Sequence, residues 1–122
     1  MIAFRMGLEV RSFTMRIALA LAFAVTASSP ALALDCYEDI GCMYDHLIPK
    51  SQFRQLSCQN LWYVRNNTYD DHGYCFATAR GQAEFDNSDC SITNAANVPL
   101  NSYERKNIGR IKEVEAEKGC PR

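Results

Sequence analysis

The sequence predicts a mostly α-helical fold: a small, disulfide-stapled domain of three helices, following a cleaved signal peptide. Three observations carry that expectation. Residues 1–33 hold three Arg, a single acid and no Cys around an apolar run. Residues 34–122 hold all six Cys. Within them, three segments open on a helix-capping residue and continue with apolar side chains at helical spacing. At 122 residues the chain is too short for more than one ordinary domain. Residues 34–122 carry ten Lys+Arg against thirteen Asp+Glu, a balance that offers no basic footprint for nucleic acid or an anionic membrane.

In the leader, Arg5, Arg11 and Arg16 precede an apolar run over 17–26, followed by Ser28-Ser29-Pro30 and Ala31-Leu32-Ala33. A basic region, a short hydrophobic stretch and a small-x-small tripeptide make a secretory signal peptide, with cleavage expected after Ala33. The run is about half the ~20 residues needed to cross a bilayer, so no stable membrane insertion is expected after cleavage. Met15 is an alternative start, since 15–33 alone form a compact leader. The mature protein is expected in the periplasm or outside the cell.

Export sets the chemistry of the cysteines. Six Cys in an oxidising compartment make three disulfides the default. No Cys-x-x-Cys pair is present, and Cys42-x3-His46 lacks a second ligand pair, so neither a metal nor another cofactor is expected. Fifteen pairings are open, and spacing does not choose among them. In one set, Cys36 and Cys42 close a local loop, Cys75 and Cys90 bracket the second helix, and Cys58 is left to Cys120.

Segment 34–55 reads as an N-terminal extension carrying Cys36 and Cys42, with a brief helical turn over 39–47. The first helix begins at Ser57, a good N-cap. Cys58, Leu61, Trp62, Arg65, Tyr69 and His72 recur at helical spacing, and Gly73 is placed to end the helix in the left-handed conformation. Asn66-Asn67-Thr68 is poor helix-forming sequence, so tertiary contacts must hold this helix. After the apolar connector Tyr74-Cys75-Phe76, Thr78 caps a short helix over 79–86 that would bury Ala83 and Phe85. A loop follows over 87–99. Asn101-x-x-Glu104 has the form of a capping box and opens a last helix reaching about Lys118, with Gly119 as its stop. Ile108, Ile111 and Val114 give it a narrow apolar stripe; Arg110, Lys112, Glu113, Glu115, Glu117 and Lys118 give it a solvated face of mixed sign.

The run Leu61-Trp62-Tyr63-Val64-Arg65-Asn66-Asn67-Thr68-Tyr69-Asp70-Asp71-His72-Gly73-Tyr74-Cys75-Phe76 resembles the YARHG domain of exported bacterial proteins. Arg65-Asn66, Tyr69, His72 and Gly73 match that family's motif, as do Tyr74 and Phe76 after it. Asp70 and Asp71 stand where the motif has Ala and Arg, so any role of that Arg is not carried over. Phe85, Cys90, Val98-Pro99-Leu100 and Gly119-Cys120 resemble a cysteine-rich branch of small exported proteins. The resemblance covers 56–120, leaves the extension outside the core motif, and implies an extracytoplasmic domain with no known catalysis.

His72 beside Asp70 and Asp71 is the one obvious acid–base cluster. Neighbouring residues on a helix project in different directions, and only Ser57 or Thr68 is at hand as a nucleophile. His46 beside Asp45 is a weaker pair of the same kind. No enzyme is expected, and no catalytic residue is assigned. Trp62 is the only Trp, and on an amphipathic helix it is more often core than ligand platform. Ten aromatics over residues 34–122 are nevertheless more than a small core takes in. Trp62, Tyr63, Arg65, Tyr69, His72 and Tyr74 are the candidate binding residues, suited to sugar rings or a protein partner, with Arg80 nearby. The expected function is an envelope-associated, non-enzymatic module binding a protein or peptidoglycan. A structural or stress-related secreted protein without a dedicated ligand is the alternative, ahead of a hydrolase or hydrolase inhibitor.

Overall fold

The computed structural model describes residues 36–122; the signal peptide expected over 1–33 and its cleavage after Ala33 lie outside the described residues. In chain order the elements are β1 (Cys36–Tyr37), β2 (Gly41–Cys42), α1 (Lys50–Phe53), α2 (Cys58–Asp71), α3 (Ala79–Glu84), a 3-10 turn (Ala95–Asn97) and α4 (Ser102–Glu117).

The long last helix, α4, organises the rest. The Asn101 side chain accepts from the Glu104 backbone N–H, and the Glu104 carboxylate accepts from that of Asn101, each at 2.8 Å. This reciprocal capping box satisfies two of the amides that a helix start leaves unpaired. The stripe Ile108, Ile111 and Val114 is buried. Against it lie Leu61 and Val64 of α2, Phe53 of α1, and Ile40, Met43, Ile48 and Leu56 from the chain around α1, all in one cluster. Full burial of one such side chain is worth roughly 1.5–3 kcal/mol.

The described residues hold four α-helices, not three. The additional one, α1, follows Pro49 and has no side-chain cap; four residues are too few to show a periodicity. The helical turn expected over 39–47 is also corrected. Antiparallel β1 and β2 set Cys36 opposite Cys42 and Tyr37 opposite Gly41, and the 36–42 disulfide closes that hairpin. The following loop is held by Asn107 of α4, which is fully buried. Its Oδ1 accepts from Ile48 N–H at 2.9 Å, and its Nδ2 donates to the Met43 and His46 carbonyls at 3.0 and 2.9 Å. The extension thus belongs to the core rather than lying beside it.

The buried face of α2 is Leu61, Val64, Asn67 and Thr68; Trp62, Arg65, Tyr69 and His72 are half-buried. The weak helix formers are satisfied in two ways. Asn67 donates to the Tyr37 hydroxyl at 2.9 Å, a tertiary contact, while Thr68 and Asn66 donate to carbonyls one turn back. Thr78 caps α3 as expected, accepting from Gly81 N–H. The helix ends at Glu84, and it buries Gly81 rather than Ala83, which is exposed, while Phe85 just beyond is buried. A Cβ at Gly81 would come within 2.8 Å of Phe76, so this glycine lets α3 close on that ring. Two further disulfides, Cys58–Cys120 and Cys75–Cys90, tie the start of α2 to the chain beyond α4 and the connector to the loop after α3.

Candidate functional site

The candidate residues divide between the end of α2, where they close the fold, and an open groove, with Tyr63 apart from both. At the end of α2, His72 is the C-cap. Gly73 has φ +84°, the left-handed conformation that glycine takes at no steric cost. Its carbonyl accepts from Ser91 and Ile92, and Cys75 N–H donates to Ile92 O at 2.8 Å. His72 Nε2 stands 3.0 Å from both oxygens of Glu104. With a carboxylate opposite, the ring N–H is the donor. The Glu104 side chain is only 3% exposed, so its oxygens depend on His72 and the Asn101 amide in place of water. The His72–Glu104 contact therefore clasps the end of α2 to the start of α4. Sequence reasoning assigned Glu104 to the capping box alone; nothing local marks it as the partner of a histidine 32 positions earlier.

Neither hydroxyl considered as a nucleophile is available to His72. Ser57 caps the opposite end of α2, accepting from Asn60 N–H, roughly 20 Å away at 1.5 Å per residue. Thr68 donates to Val64 O at 2.9 Å. His46 lies beside Asp45 on the exposed loop, packed over Gly41.

The aromatics form one continuous ladder. Trp62 and Tyr63 contact Phe85, with ring centroids 5.9 and 5.6 Å apart. Phe85 stacks on Phe76 at 4.7 Å, Phe76 meets Tyr74 edge-on at 5.0 Å, and Tyr74 meets Tyr69 at 5.8 Å. Such spacings suit the ring quadrupoles. Phe76 and Phe85 are buried; the other four rings are partly exposed. Arg80 lays its guanidinium 3.8 Å from the centre of the Trp62 ring and donates to Gln59.

Beside the ladder, α2, the connector after it and the end of α4 enclose an open groove of about 770 Å³. Trp62, Arg65, Asn66, Tyr74 and Phe76 line one side, and Lys112, Glu115 and Ala116 line the other. Arg65 donates to Glu115 at 3.0 Å, with both side chains largely buried. Of the six candidate binding residues, Trp62, Arg65 and Tyr74 thus share the groove. Tyr63 borders a separate, smaller pocket with Tyr37 and Asp39, while Tyr69 packs on the aliphatic core and His72 forms the clasp. Lys112 and Glu115 were read only as part of a solvated face, because their position opposite Trp62 depends on how the two helices cross.

Comparison with protein families finds the YARHG domain, matched over residues 37–116. The chain belongs to the YARHG domain family. No curated protein and no solved structure matches it. The YARHG match starts at residue 37, not 56, and so takes in the hairpin and α1. That extent agrees with the core, to which Ile40, Met43, Ile48 and Phe53 all contribute. In this YARHG domain the residues matching the motif are largely architectural: Tyr69 joins ladder to core, His72 clasps two helices, and Gly73 turns the chain. No group of three or more His, Cys, Asp or Glu able to hold a metal occurs among the described residues, and none of their helices is long and apolar enough to cross a membrane.

Proposed function

We propose that this YARHG-domain protein is an exported, non-enzymatic binding module of the bacterial cell envelope, whose partner, a protein or peptidoglycan, occupies the α2–α4 groove. The observation that carries this reading is the convergence of Trp62, Arg65 and Tyr74 from the motif region with Lys112 and Glu115 of α4 around one open cleft. Concave sites with aromatic walls and a few placed polar groups are where ligands are held. Three disulfides favour an oxidising compartment, periplasmic or extracellular. The separation of His72 from Ser57, and its use as a clasp, support a role without catalysis.

A photo-crosslinking amino acid placed at Thr78 or Ala116, both on the groove and exposed, tests this in cells. An adduct with an envelope protein or a peptidoglycan fragment at these positions, absent at exposed Ser102, is the expected result. Equal labelling at all three, or none, would overturn it. The alternative, a structural or stress-related secreted protein without a dedicated ligand, is favoured by one observation: Tyr69, His72 and Gly73 are committed to internal contacts. On that reading the groove positions capture nothing, and Trp62→Ala alters stability alone.

A further inference from the structure

We infer that the groove takes an acidic peptide segment of a protein partner, an assignment that rests on the binding-module reading and names its ligand class. Charge favours such a ligand. Residues 34–122 are acidic as a whole, with thirteen Asp+Glu against ten Lys+Arg. The groove reverses that balance: Arg65, Lys112 and Arg122 line it against the single acid Glu115. Arg65 and Glu115 neutralise each other across 3.0 Å. Lys112 and Arg122 make no ion pair or hydrogen bond among the described residues; in a protein ending at 122 the terminal carboxylate offsets Arg122 in part, so Lys112 is the main charge open to an incoming carboxylate.

One face of Trp62 is closed to a sugar. A sugar ring binds an indole by lying on its open face. Here Arg80 occupies one face of Trp62 at 3.8 Å from the ring centre, and Phe85 stands 5.9 Å away within the ladder. Stacking a sugar on the Arg80 side requires that guanidinium to leave both the indole and Gln59. An acidic peptide makes no use of that face: its carboxylates meet Lys112 and Arg122, and its apolar side chains lie along Tyr74 and Ala77. Steering by complementary charge also speeds the encounter and makes it sensitive to salt.

The test uses oxidised protein spanning residues 34–122 and fluorescence anisotropy with three fluorescein-labelled probes: an amidated Asp-Gly repeat peptide, the matching Lys-Gly repeat, and a soluble muropeptide. The expected result is binding of the Asp-Gly peptide alone, weakened roughly tenfold by Lys112→Glu and further by Lys112→Glu with Arg122→Glu. Lys106→Glu, the same charge change on an exposed part of α4 outside the groove, is expected to leave it nearly unchanged. Both lysines are exposed, so the variants keep the fold, checked by circular dichroism. Equal weakening by Lys106→Glu, or equal binding of the Lys-Gly peptide, would overturn the groove assignment. Binding of the muropeptide but not the Asp-Gly peptide, lost on Trp62→Ala, would overturn the peptide assignment while leaving a binding module intact. Failure of all three probes together with absence of a crosslink at Thr78 and Ala116 would overturn both.

Discussion

The apolar core and the aromatic ladder meet along α2, yet they are built on different terms. The core draws Ile40, Ile48, Phe53, Leu61, Ile111 and Val114 from segments far apart in the chain and leaves them almost without exposure. The ladder draws its rings from residues 62–85, and four of the six remain partly exposed. Core side chains are fixed by the absence of any other place to go. Ladder rings are fixed by one another and by the nearby Cys75–Cys90 bond, so they hold position while still reaching solvent. A binding surface needs that combination, and the core cannot supply it.

Four perturbations separate the two regions. Phe53→Ala empties a fully buried ring position and is expected to lower stability by about 3–5 kcal/mol, read by urea denaturation, with native Trp62 fluorescence unaltered. His72→Ala leaves the buried Glu104 carboxylate without its principal side-chain donor; about 1–3 kcal/mol is expected, while Glu104→Gln, which can still meet the ring through its amide oxygen, loses less. A His72→Ala protein of unchanged midpoint would refute the clasp. Phe85→Leu keeps apolar volume but removes the ring shared by Trp62, Tyr63 and Phe76. Its expected cost is about 1–2 kcal/mol, accompanied by a red shift of Trp62 emission that Phe53→Ala does not produce.

The smallest effect lies at the outer edge of the core, where α1 meets the end of α4. Hydrogen bonds from Arg54 and then Lys50 hold the Glu117 carboxyl down to about 2, and Lys50 also pairs with Glu113 at 3.0 Å. A carboxylate depressed in the folded state contributes stability that is fully present above its unfolded value, about 4.3. That contribution is lost as pH falls from there to about 2. The pairs are exposed, so the effect is modest and weakened by salt. Thermal midpoints measured across that interval should fall less in Glu117→Gln than in the parent; identical slopes would remove the pair from the account.

Much of the helix punctuation was legible without coordinates. Ser57, Thr78 and the Asn101–Glu104 box all cap helices, because capping is settled within three or four residues. The Ile108, Ile111 and Val114 stripe is legible for the same reason. Illegible were α1, too short for periodicity, and the hairpin, whose strands of two residues show no alternation. The candidate site was half legible. Trp62, Arg65 and Tyr74 could be named, but their separation from Tyr63, Tyr69 and His72 follows from how the chain packs around α2.

What the sequence determined by itself is whatever depends on neighbours along the chain: helix starts and stops, the apolar stripe of α4, six cysteines able to pair, and a motif region rich in aromatics. Tertiary structure alone decided which of fifteen pairings the cysteines make, that polar Asn67, Thr68, Glu104 and Asn107 are buried, and that Lys112 and Trp62 line one groove. A buried polar group is tolerated only where a partner satisfies it. For Asn107 and Glu104 those partners include groups 59 to 64 and 32 residues away, distances that only the folded chain closes.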